Sequence, residues 1–96
     1  MLTPQERALL RSISNNLKDL VYIGKEGLSD NVIIQINDNL YAHELIKVKV
    51  QKTAGVEMSD LSNEIANKCN CEVVATIGSK ILLYKVTDKP KFEHLL

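Results

Sequence analysis

Leu45-Ile46-Lys47-Val48-Lys49-Val50-Gln51 is the clearest two-residue alternation in the chain. Ile46, Val48 and Val50 fall on one face, and Lys47, Lys49 and Gln51 fall on the other. Such a strand is covered on one side and wet on the other. The segments flanking it have a helical period instead. Before it, Val32, Ile33, Ile36 and Leu40 recur at i, i+1, i+4 and i+8, in a helix that opens at Ser29 or Asp30. After it, Met58, Leu61, Ile65 and Cys69 mark a helix from roughly Glu57 to Cys69, which Asn70 can end in a left-handed turn. A strand between two helices needs other strands to pair with.

Those strands lie further out. Leu20-Val21-Tyr22-Ile23 is a short β-rich run stopped by Gly24, and Gly24-Lys25-Glu26-Gly27 reads as the turn into the next helix. Cys71 to Ile77 and Ile81 to Val86 are β-branched segments joined by Gly78-Ser79-Lys80, which predicts a hairpin. At the N-terminal end, Thr3 as N-cap, Pro4 at the first helical position and Glu6 three residues after Thr3 form a capping box. Leu9, Leu10 and Ile13 supply that helix's apolar stripe, and it should end around Ser14-Asn15-Asn16. The order is a helix followed by βαβαββ. The expected class is α/β of the α+β two-layer kind, a small mixed sheet with helices mainly on one face. Right-handed crossovers place them there and leave the other face partly open.

At 96 residues the chain fits one domain, expected over 1–96 with a core of about 2–86 and a short polar tail at 87–96. Apolar residues make up 45% and charged residues 25%, which argues against disorder. No apolar run approaches the ~20 residues of a transmembrane helix, and the start lacks the pattern of a secretion signal, so a cytoplasmic protein without a membrane partner is expected. Cys69 and Cys71 are too close for an unstrained bridge and too few for a zinc site, so they read as small buried hydrophobes.

Twelve basic and twelve acidic residues cancel, so only the distribution of charge can favour nucleic acid. That distribution is uneven. Lys47 to Lys52 holds three lysines and no acid, and Lys80 to Lys91 holds four against Asp88 alone. Glu57, Asp60, Glu64 and Glu72 are opposed only by Lys68. No metal, cofactor or small-molecule substrate is expected: His43 and His94 are the only histidines, and no acid, base and nucleophile set assembles around them. His43 reads as a cation at a helix C-terminus. The sharper candidate is the Gly24–Gly27 turn, whose glycines allow backbone to approach a phosphate at the start of a helix. A GxxG loop of this kind clamps RNA backbone in KH modules. Lys47 and Lys49 on the wet strand face and Lys80 in the hairpin turn would line a strip beside it, although lysines there also discourage edge pairing.

Three ordered blocks resemble a known family. They are Ile23-Gly24-Lys25-Glu26-Gly27-Leu28-Ser29-Asp30-Asn31-Val32-Ile33, His43-Glu44-Leu45-Ile46-Lys47-Val48-Lys49-Val50, and Ile77-Gly78-Ser79-Lys80-Ile81-Leu82-Leu83-Tyr84-Lys85. From Leu2 to about Lys85 the chain resembles the CRM domain, in its single-domain bacterial YhbY-like form. The resemblance implies a compact fold similar to the C-terminal domain of bacterial translation initiation factor 3. It also implies an RNA-binding module that associates with precursor large ribosomal subunits. Residue by residue it puts RNA contacts on Gly24, Lys25, Glu26, Gly27, Lys47, Lys49, Gly78, Ser79, Lys80 and Lys85. Lys85 stands where the family usually has Arg, keeping charge without the bidentate fork. The expected function is therefore a monomeric, non-enzymatic protein that binds ribosomal RNA during large-subunit assembly. A protein-interaction adaptor is the alternative. Aromatic stacking should be minor, because Tyr22, Tyr41, Tyr84 and Phe92 are the only aromatics and at least Tyr22 or Tyr84 is a candidate for the core.

Overall fold

The computed structural model describes residues 2–51 and 57–96, so Lys52 of the lysine-rich stretch lies outside the described residues. The elements are α1 (Pro4–Ser14), β1 (Asp19–Ile23), α2 (Asp30–His43), β2 (Leu45–Val50), α3 (Met58–Cys69), β3 (Glu72–Ile77) and β4 (Lys80–Tyr84). They form the mixed α+β architecture that the periodicities predict. The sheet has four strands in the order β1-β2-β4-β3. β1 runs parallel to β2, and β4 is antiparallel to both β2 and β3.

Local chemistry sets the boundaries. Thr3 and Glu6 form the reciprocal capping box of α1, with Thr3 N donating to Glu6 Oε1 at 2.9 Å and Glu6 N to Thr3 Oγ1 at 3.1 Å. Ser29 caps α2 by accepting the Val32 amide at 3.3 Å. Asn70 ends α3 in the left-handed conformation (φ 51°, ψ 50°). Gly78 takes φ 59° as the first residue of the two-residue β3–β4 turn, a position where glycine carries no Cβ penalty.

The β2 alternation divides the interior into two layers. Ile46, Val48 and Val50 join Val21, Ile23, Ile81 and Leu83 under Ile36 and Leu40 of α2 and Leu61, Ile65 and Cys69 of α3. Leu45, Leu82 and Tyr84 point the other way and meet Leu10 of α1 together with Val74. The helices of the crossovers thus share one face, whereas α1 covers the half of the opposite face nearest Leu45 and Tyr84. Arg7 fastens α1 to the edge strand, donating to the carbonyls of Val73 and, at 3.0 Å, Val74, where β3 breaks register. Of the two tyrosines weighed for the core, Tyr84 is inside and Tyr22 is outside, 64% exposed.

The C-terminal segment is more than a polar tail. Thr87 is buried, and its hydroxyl donates to the Tyr41 carbonyl at 2.6 Å. The segment returns to Glu44, a wholly buried residue at φ 70°, ψ −43° between α2 and β2. Its carboxylate accepts the amides of Thr87 and Leu95, each at 3.0 Å, and Nδ1 of His94. Burial on its own would raise the Glu44 pKa, but these donors outweigh it and hold the carboxyl below the ordinary glutamate value. Tail and core are thus joined through one carboxylate. Cys69 is buried and Cys71 half-buried, as expected of small hydrophobes; burial, with Cys69 alongside, pushes the Cys71 thiol up to about 12.

Candidate nucleic-acid interface

β1 ends at Ile23 and β2 at Val50, so the parallel pair delivers the Gly24–Gly27 turn and Gln51 to the same end of the sheet. The Gln51 amide donates to the Ile23 carbonyl at 2.8 Å, and the Val50 amide to the Ser79 carbonyl at 2.7 Å. These two bonds bring the glycine turn, the end of β2 and the Gly78-Ser79 hairpin turn together. The Gly27 amide closes the first turn on the Gly24 carbonyl at 3.0 Å. The two glycines have different reasons to be there. Gly27 is at φ 69°, where an L side chain is strained, whereas a Cβ on Gly24 would lie 3.3 Å from Gln51 Oε1. Gly24, Lys25, Glu26, Gly27, Ser29, Val32 and Gln51 line an open depression of about 400 Å³. The N-terminus of α2 adjoins it and brings partial positive charge, with Asp30 in the first turn opposing that charge.

Beyond α1 and the C-terminal segment, no described residue covers the sheet face, and its register orders what is displayed. Tyr22 pairs with Lys49, Lys49 with Lys80, and Lys80 with Ile77, giving one row across all four strands. Paired residues point to the same side, so Tyr22, Lys49, Lys80 and Ile77 share this face. Lys25 and Lys49 are exposed and make no ion pair or hydrogen bond among the described residues.

The other lysines singled out from the sequence have partners. Lys80 Nζ lies 3.4 Å from Asp19 Oδ1, an oxygen with no hydrogen-bond partner, so the ammonium balances its charge without bonding geometry. Lys47 shares the row's face one step further in, and its Nζ donates to the Leu17 carbonyl at 3.1 Å. Lys85 is elsewhere. It follows β4 at the opposite end of the sheet, where its Nζ donates to the Cys69 carbonyl at 3.1 Å and caps α3. The acidic residues Asp60 and Glu64 are exposed on α3, whose packing face lies on the far side of the sheet. These two carboxylates are thereby kept away from Lys49 and Lys80, although Asp19 and Glu26 lie among the lysines. Tyr22 and Asp19 are the members of this surface that sequence reasoning missed. The parity of Val21 and Ile23 places Tyr22 outside, but the cations beside it depend on a register that no local pattern encodes.

Comparison with known proteins gives one consistent result. Residues 2–85 match the CRS1 / YhbY (CRM) domain. YqeI of Bacillus subtilis, named a probable RNA-binding protein, is 36% identical over 91 residues, covering 95% of each chain. MJ0652 of Methanocaldococcus jannaschii, also named a probable RNA-binding protein, is 35% identical over 86 residues, covering 88% of this chain and 63% of its own. The solution structure of SAV1595 from Staphylococcus aureus superposes with a TM-score of 0.80 at 35% identity, over 95% of both chains. With one match running through every strand and helix described above and a solved relative of the same shape, the chain belongs to the CRS1/YhbY (CRM) domain family.

Proposed function

We propose that this protein binds ribosomal RNA of the precursor large subunit in the cytoplasm and assists its assembly without catalysing a reaction. One observation carries the reading: the Gly24–Gly27 turn, the N-terminus of α2 and the row containing Lys49 and Lys80 meet at one end of the sheet. Exposed backbone there approaches phosphates, while Lys25, Lys49 and Lys80 neutralise them. Lys47 flanks this set, and the Gly78-Ser79 turn lets the backbone come close at the row's far side. The names of the bacterial and archaeal relatives support an RNA partner. The assembly role rests on the family resemblance.

Titration with ribosomal RNA fragments at several salt concentrations tests the proposal. Three neutralised phosphates give a log–log slope of about −2, at ~0.7 per contact on single strands. Replacing Lys25 and Lys49 together by Ala should bring the slope to about −1. Absent or salt-independent binding refutes the reading. Ribosomal partners that persist in pull-downs after nuclease treatment, with no RNA bound by the purified protein, would establish the adaptor alternative instead.

A further inference from the structure

Tyr22 is the most exposed aromatic side chain in the molecule's sheet, 64% accessible on a face where the neighbouring α1 does not reach. A tyrosine ring offers ~150 Å² or more of surface to bury, and a strand position of this kind usually turns it inward or packs it on a cross-strand partner. Its cross-strand partner here is Lys49, a cation without a protein counter-charge among the described residues. Two residues further along β1 begins the glycine turn. We propose that Tyr22, with Lys49 beside it, is a stacking site for one unpaired base of the RNA whose backbone passes over the Gly24–Gly27 turn. This deepens the function proposed above and rests on it, since it specifies a single-stranded stretch, loop or bulge as the element bound.

The physical case has three parts. Neighbouring strands are about 4.8 Å apart, so the Lys49 side chain leaves the sheet beside the ring and its ammonium can reach the phosphate of a nucleotide stacked there. Bases inside a duplex have no free face, so an exposed ring beside cations discriminates for unpaired nucleotides. Ile77 stands at the far end of the row, 48% exposed, and adds an apolar side chain beyond the lysines. A protein partner would also cover an exposed tyrosine. Lys49 in the row and Lys25 in the adjoining turn, both without a counter-charge among the described residues, favour a polyanion over it.

The test compares a short unstructured single-stranded RNA with a blunt RNA duplex of equal length, using the intact protein. Tyr22→Ala should weaken the single strand roughly 5- to 150-fold, leave duplex binding unchanged, and leave the salt slope unchanged because no charge is removed. Tyr22→Phe keeps a π-face and should retain affinity. The chain has three tyrosines and no tryptophan, so stacking on Tyr22 should quench part of the intrinsic emission, and Tyr22→Phe should lose that quench while still binding. Wild-type affinity of Tyr22→Ala for the single strand overturns the stacking site. Equal losses on both RNAs overturn it as well. Binding of neither RNA by the wild-type protein is a different failure, which removes the RNA reading itself.

Discussion

The two ends of the sheet treat their polar groups in opposite ways. Where β2 begins and β4 finishes, Glu44 gathers two amides and an imidazole, Thr87 bonds the Tyr41 carbonyl, and Lys85 caps α3. Where β2 finishes and β4 begins, Lys25 and Lys49 have no protein partner among the described residues, and a glycine turn borders an open depression. The first end uses polarity to hold the chain together. The second leaves it available to a ligand, and the contrast can be tested by removing one group at a time.

The largest effect should come from Glu44→Gln. Its amide nitrogen would face donors where the carboxylate now accepts them, a buried mismatch that costs about 2 to 3 kcal/mol. Chemical denaturation measures the loss, and RNA affinity of the folded variant should be unaltered. If affinity falls with stability, the two ends are coupled and the contrast fails. Acid provides a second route to the same group. The folded protein holds the Glu44 pKa below its ordinary value of 4.5, so the unfolded chain takes up this proton first as pH drops. The contribution is complete above that value and disappears as pH falls through the lowered one, so the unfolding midpoint should decline on acidification below about 4.5. Glu44→Gln should lack that part of the decline.

Next in size is Gly27→Ala, which places a side chain at φ 69° and should lower stability by about 1 kcal/mol. Gly24→Ala meets only the end of a flexible side chain and should stay within about 0.5 kcal/mol. Both should weaken RNA binding if backbone approach matters. The smallest change is Lys85→Ala, which removes a cation from the C-terminus of α3 and should cost about 0.5 kcal/mol with no effect on RNA affinity or its salt slope. A reduced slope would instead bring Lys85 back into the RNA surface.

Much of this was legible in the sequence because it depends on near neighbours. Thr3, Pro4 and Glu6 mark the start of α1, Asn70 marks the end of α3, and the alternation in β2 divides the core into its two layers. The rest depends on distant pairings. Nothing local says that α1 crosses to the opposite face, and Glu44 looks like any polar residue between a helix and a strand until Thr87, His94 and Leu95 fold back onto it. The separation of Lys80 from Lys85 is the exception, since five strand residues span about 17 Å and put the two lysines at opposite ends of β4 by rise alone. Tyr22 faces outward by simple parity, but its setting among cations required the sheet order.

The row of Tyr22, Lys49, Lys80 and Ile77 takes one residue from each strand, and its outer members are far apart in the chain. A molecule with even one strand undocked does not possess it. Whatever binds there therefore distinguishes finished chains from partly folded ones, and by mass action it raises the melting temperature of the whole domain rather than steadying one loop.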